Sequence, residues 1–380
     1  MNAIYLDHAA TTPVHPEVVN VMTESLKENF GNPSSIHSFG RKARQVLDKA
    51  RTIAAQSIQV SEKEIVFTSG GTEADNLAIT GVAHANSDKG KHIITTKIEH
   101  HATLHAVENL EKNGYEATYL DVNQQGYVDI NQLKSALRED TILVTVMMVN
   151  NETGVIQPIK EIGELLKDHQ AYFHTDAVQA YGMLPIDVKE LQVDLLTVSS
   201  HKINGPKGLG FLYIAPDVAV HALQHGGEQE RKRRPGTENM SAIIGFAEAI
   251  KLAQNERETR YQTYQAYRDQ FLQILSEQEV TFSINGENSE RVPSIINLSF
   301  PGANVEALLT NFDLSGVAAS SGSACTAGSV EPSHVLSAMF SEESACTTNS
   351  IRFSFGLAND QKNVQEAAKR VAKIVKRLTK

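Results

Sequence analysis

Short apolar strands alternate with amphipathic helical stretches through most of the first 215 residues, and this alternation constrains the fold more than any other feature. Residues 64–68, 93–96, 142–149, 171–173 and 195–199 read as strands, being apolar or β-branched runs too short for buried helices. Helical patterns separate them, as at 159–166, where Ile159, Ile162, Leu165 and Leu166 share one face. Such alternation predicts an α/β domain with a largely parallel sheet. In open sheets of that class, ligands sit beyond the carboxyl ends of the strands. Polar clusters fall there: Glu99-His100-His101, Asn150-Asn151-Glu152, Asp176 with Gln179, and Ser199 through Lys202. Four strand ends carrying polar groups point to one shared site.

The last cluster opens the stretch VSSHKINGPKGLG, residues 198–210, between strands at 195–198 and 211–214. A lysine withdrawn from water at a strand end favours its neutral amine, a nucleophile able to condense with an aldehyde. The plainer alternative for Lys202 is a solvated surface charge. Earlier, the strand at 64–68 runs into Ser69-Gly70-Gly71-Thr72 and a helix through Ala85. With Thr72 near the N-cap, freed backbone N–H groups and the helix dipole make an anion cradle there, where the alternative is an ordinary capped turn. Together these are the parts a pyridoxal phosphate enzyme needs. Lys202 can hold the aldehyde, and Asp176 can keep the pyridine nitrogen protonated. His100 can stack on the ring, and Gln179 can bond the phenolic oxygen. Gly71, Thr72, Ser199 and His201 can grip the phosphate. Arg352 can pair bidentately with a substrate carboxylate, assisted by Asn151.

The length of 380 residues, with 41% hydrophobic and 21% charged, fits a large core and two domains. From about residue 239 the pattern changes to a long helical stretch, 241–275. Short strands at 295–300 and 351–355 then mix with helices, which reads as a second, smaller domain. A net charge of -10 argues against a nucleic-acid or membrane-surface binder. No apolar run reaches membrane-spanning length, and the N-terminus has no secretory pattern. Two cysteines, Cys325 and Cys346, are too few for a disulfide framework or a four-cysteine zinc site and suit a reducing cytoplasm. Cys325 lies in SSGSACTAG, a polar context unlike a core, where a thiol can be reactive rather than serve as a small buried hydrophobe. Ser-Ala-Cys-Thr recurs at 344–347, so spacing alone leaves Cys346 open. His101 and His105 have the i, i+4 spacing of a metal pair, yet no acidic or cysteine ligand completes a set, and no metal is expected. The basic run 231–234 precedes Pro235-Gly236-Thr237 and is expected to line the site entrance or a dimer surface, with docking of a tRNA-modifying partner the weaker reading.

The segments SGGTEADN, EHHA, VNNETGV, HTDAVQ, SSHKINGPKGLG, RPGTEN, SSGSACTAG and SIRFSFG occur in that order, after LDHAATTP at the start. This series resembles the cysteine desulfurases of the NifS/IscS type, within the class V aminotransferase group, and covers nearly the whole chain. The resemblance implies the fold type I of pyridoxal-phosphate-dependent transferases. Its large domain, residues 15–255, would hold a mainly parallel sheet flanked by helices; a small α+β domain, residues 1–14 and 256–380, would carry the catalytic cysteine loop. It further implies an obligate homodimer in which Thr237 reaches the partner's phosphate. Lys202 matches the cofactor-bearing lysine, Asp176 the pyridinium partner, His100 the stacking ring and Cys325 the sulfur-accepting nucleophile. The stretch from Cys325 to Arg352 resembles the long-loop subgroup. The implied activity removes sulfur from L-cysteine, giving L-alanine and a persulfide on Cys325. An acceptor protein in iron–sulfur cluster assembly or tRNA thiolation would then take the sulfur. The chain stops soon after its last helix, which weighs against assembly-scaffold docking. Rival readings are a selenocysteine lyase, a class V aminotransferase, or a non-catalytic sulfur carrier or tRNA-associated scaffold.

Overall fold

In the computed structural model, which describes residues 3–322 and 332–379, the alternating region forms one seven-stranded sheet. Its strands are β1 (Ile65–Thr68), β2 (His92–Thr96), β3 (Glu116–Leu120), β4 (Thr141–Thr145), β5 (Tyr172–Asp176), β6 (Leu195–Ser199) and β7 (Gly210–Ile214). Their spatial order is β1-β7-β6-β5-β4-β2-β3. Only β7 runs against its neighbours, so the other six point the same way. Their carboxyl ends therefore meet on one edge. Strand β3, EATYL, escapes a sequence reading because it is a polar, half-exposed edge strand. Strand β4 ends at Thr145, short of Val149, although Val146 and Met148 still donate to the carbonyls of His174 and Asp176.

Successive residues of each strand feed opposite faces, and both faces are covered. Phe67, Ile94, Val144, Phe173, Val198 and Phe211 pack on one side beneath helix Ser38–Gln56. Val66, Ile93, Leu143, Leu195 and Leu212 pack on the other beneath helices Gly71–Ala85 and His101–Lys112. A separate core gathers Ile4 and Leu6 from one chain end with Phe271, Leu298, Phe353 and Val371 from the other. Three antiparallel strands, Ser283–Ile284, Ile295–Ser299 and Ser350–Ser354, build it. Strand Ile4–Tyr5 pairs in parallel with Val317–Ala318, and helix Gln361–Leu378 closes over them. Helix Met240–Glu277 serves both cores. Ile243, Phe246 and Ile250 enter the first, and Tyr264, Phe271 and Leu275 the second.

One buried ion pair pins the loop before that helix to the sheet. Arg51 and Glu230 form a bidentate pair with both contacts at 2.6 Å. Glu230 also accepts the Phe67 N–H at 3.0 Å, and Arg51 donates to the Ile65 carbonyl at 2.9 Å. Removing one partner strands the other charge away from water. Glu230→Ala should therefore lower stability by about 3–5 kcal/mol, read as a lower urea midpoint at unchanged slope.

Candidate active site

A cavity of about 350 Å³ opens where the parallel strands end. Gly71 and Thr72 follow β1, His100 follows β2, Asn151 follows β4, Asp176 and Gln179 follow β5, and Ser199, His201 and Lys202 follow β6; all line it. Arg352 reaches the same wall from strand Ser350–Ser354 of the other core. Ten residues from six chain segments, singled out by sequence, are thus brought together. Thr237 is not among them: it is exposed on the loop before helix Met240–Glu277. Cys325 lies outside the described residues. Gly322 and His334, on either side of that segment, both line the cavity.

Lys202 ends a short 3₁₀ turn, Ser200–Lys202, and its Nζ donates to the carbonyls of Ala9 at 2.5 Å and Ala10 at 2.8 Å. Gln179 Nε2 donates to the same Ala9 carbonyl at 2.9 Å. His100 caps helix His101–Lys112 by accepting the Ala102 N–H on Nδ1 at 3.1 Å. Burial, reinforced by the Lys202 charge, lowers His100 to about 4. At neutral pH the ring is therefore uncharged, with its proton on Nε2. His201 is likewise lowered to about 4 by burial and then by Lys202, while its Nδ1 lies 3.1 Å from Thr11 Oγ1.

Two acids stand behind Lys202. Burial raises Asp176 to about 6, against the pull of the Val178 N–H and the Lys202 charge. Asp75, on the first turn-and-a-half of helix Gly71–Ala85, is raised well above its usual range by burial, with the Asp176 charge adding to it. Of the two, Asp75 is thus pushed the more strongly toward its neutral form, and the Lys202 charge favours ionisation of Asp176. Sequence reading missed Asp75, although its i+4 spacing from Gly71 places both on one helix face. Glu152, which the sequence placed in a strand-end cluster without a role, is a buried cavity-wall acid that accepts from Ser333 Oγ at 2.5 Å.

The residues present fit a phosphorylated aldehyde cofactor. No side chain caps the first turn of helix Gly71–Ala85, whose N-cap is Gly70 rather than Thr72. A Cβ on Gly71 would come within 3.1 Å of Val178 Cγ2 and 3.6 Å of Ser199 Cβ, closing the cradle. Ser199 Oγ is buried with no hydrogen-bond partner. An anion at that helix end would take up these donors. An amine, an ionised acid and a neutral imidazole share the same chamber. Elsewhere on the wall, His101 stacks on His105 at 5.1 Å between ring centroids and meets His334 at 4.9 Å. The basic run 231–234 turns back on the cradle: Arg234 pairs with Glu73 at 2.8 Å.

Residues 4–366 match the family described as aminotransferase class-V. A Bacillus subtilis (strain 168) protein described as "Putative cysteine desulfurase IscS 1" is 60% identical over 379 residues, covering 100% of both chains. The cysteine desulfurase IscS of Dictyoglomus turgidum is 48% identical, covering 99% of this chain and 95% of that one. A solved structure described as a NifS-like protein superposes with a TM-score of 0.92 at 32% identity, covering 99% of this chain and all of the other. The chain belongs to the class-V aminotransferase family of pyridoxal-phosphate-dependent enzymes and, within it, to the cysteine desulfurases.

Proposed function

We propose that this cavity takes L-cysteine, and that Cys325 receives its sulfur as a persulfide while L-alanine leaves. The observation that carries the reading is the meeting of Lys202, Asp176, His100 and Arg352 in one chamber. Bound pyridoxal phosphate supplies an electron sink for charge developing at the substrate's α-carbon. Gly71, Thr72, Ser199 and His201 would hold its phosphate, and Asp176 would face its ring nitrogen. Gln179 would bond its phenolic oxygen. Arg352, with Asn151, holds the substrate carboxylate. Lys202 Nζ accepts and returns protons at the substrate, and His100 donates from Nε2. The Cys325 thiolate attacks the substrate's sulfur, and the carbon–sulfur bond breaks with its electron pair staying on carbon. Protonation of that carbon gives alanine, so L-cysteine and one thiol become L-alanine and one persulfide.

The large domain, residues 15–255, supplies most of this chamber, and the small domain, residues 1–14 with 256–380, supplies Arg352 and Cys325. A homodimer completes it, with Thr237 reaching the partner's phosphate site. Support comes from an exposed apolar patch on the segment 26–39, where Ile36 is 91% exposed beside Leu26, Phe30 and Phe39. The sulfur then passes to an acceptor protein, for iron–sulfur cluster assembly or tRNA thiolation, in the cytoplasm. Among the described residues no helix is long and apolar enough to cross a membrane. Incubation with L-cysteine should yield alanine together with a mass gain of one sulfur atom on the peptide containing Cys325. Alanine without that gain, in the absence of reductant, would count against a persulfide route.

A further inference from the structure

Arg352 is only 2% exposed, and a guanidinium at that depth needs a counter-charge. Its Nη2 pairs with Asp7 Oδ1 at 2.8 Å, and its Nη1 donates to the Asn151 carbonyl at 3.0 Å. Its Nε is buried without a hydrogen-bond partner. Glu152, the other acid that senses this guanidinium, takes a hydrogen bond from Ser333 and is raised by burial toward its neutral form. Asp7 is thus the principal balancing charge. Its backbone is clamped to the strand that carries Arg352. Ser354 N–H donates to the Leu6 carbonyl at 2.8 Å, and Ala9 N–H donates to Ser354 Oγ at 2.8 Å. On the other side Leu6 N–H donates to the Ala318 carbonyl at 2.9 Å. With its backbone so anchored, Asp7 keeps its carboxylate beside Arg352 when a second anion arrives.

We propose that Asp7 is a built-in rival of the substrate carboxylate, fixed on Arg352 so that the arginine grips amino-acid ligands weakly enough to release alanine. A guanidinium has five N–H donors, and the two contacts to Asp7 and Asn151 leave room for a ligand. Yet a bound carboxylate must then share one buried cation with a like charge that stays in place. The proposal rests on the reading of Arg352 as the substrate-carboxylate group.

The test titrates holoenzyme with L-alanine and with L-alaninamide, which lacks the carboxylate, following the cofactor's visible absorbance. Asp7→Asn should bind L-alanine about tenfold more tightly, with the amide unchanged within about twofold. The KM for L-cysteine should fall with it, and kcat should not rise. Asp7→Glu keeps the charge and should stay close to the parent protein, whereas Asp7→Ser, a second charge-free variant, should behave as Asp7→Asn. Damage to the site would weaken alanine binding, so only the gain fits a rival charge. Unchanged or weaker alanine binding in both charge-free variants, while Arg352→Ala abolishes the preference for alanine over the amide, overturns the role of Asp7 alone. Retention of that preference in Arg352→Ala overturns the Arg352 reading beneath it.

Discussion

Lys202→Ala should fold, lose its cofactor colour on gel filtration, and form alanine from L-cysteine about 10³-fold or more slowly. Among the described residues Lys202 is the only lysine in the cavity wall, so no neighbour can replace its amine. The amine is also placed with some exactness, between two carbonyls at 2.5 and 2.8 Å at the end of β6. Ammonium added to the assay cannot recover that placement, because a bound amine owes its advantage to fixed orientation. Folding should survive, since the side chain reaches the cavity and belongs to neither hydrophobic core. Turnover within tenfold of the parent, or cofactor trapped by borohydride on another lysine, would remove the basis of the proposed chemistry.

The second large effect is expected at Cys325. Cys325→Ser should abolish the sulfur mass gain and slow alanine formation by about 10²–10³-fold, because an alcohol at neutral pH lacks the thiolate's nucleophilicity. Cys346→Ser is the control. Cys346 is half-buried at the head of a four-residue helix, Cys346–Asn349, and does not line the cavity. Its replacement should leave sulfur uptake unchanged within about twofold, as expected of a thiol that serves only as a small apolar side chain. Sulfur appearing on Cys346 in the parent protein would transfer the assignment to the second Ser-Ala-Cys-Thr copy. Alanine formation at full rate in Cys325→Ser would instead show that carbon–sulfur cleavage proceeds without this thiol and favour the selenocysteine-lyase alternative.

Much of this site was legible because each strand that feeds it is a short apolar run ending in a polar cluster. Periodicity located the strands, and the rule that ligands gather at carboxyl ends turned five separate clusters into one chamber. Helix 159–166 emerged with the bounds its apolar spacing predicted. What escaped did so for physical reasons. Edge strand β3 needs no apolar run because one rim faces water. Asp75 looks like an ordinary helix-surface acid in sequence, and Glu152 carries no sign of its role; only burial by packing pushes both toward their neutral forms. The carbonyls of Ala9 and Ala10 carry no side-chain signal at all, yet they receive Lys202 from 193 and 192 positions away. Likewise, nothing in LDHAATTP signals that Asp7 will rest on Arg352, since that contact depends on two distant chain segments meeting side by side at the Asp7–Ser354 bridge.

Helix Met240–Glu277 has 38 residues, and at 1.5 Å per residue it extends about 57 Å. It works as a shared axle: its leading half is bolted into one hydrophobic mass and its trailing half into the other. Fraying at either end would loosen the grip of both, so heat should melt the protein in a single step instead of two. The same rod carries no glycine or proline after Gly245, which denies it a flexing point along the span between the two masses.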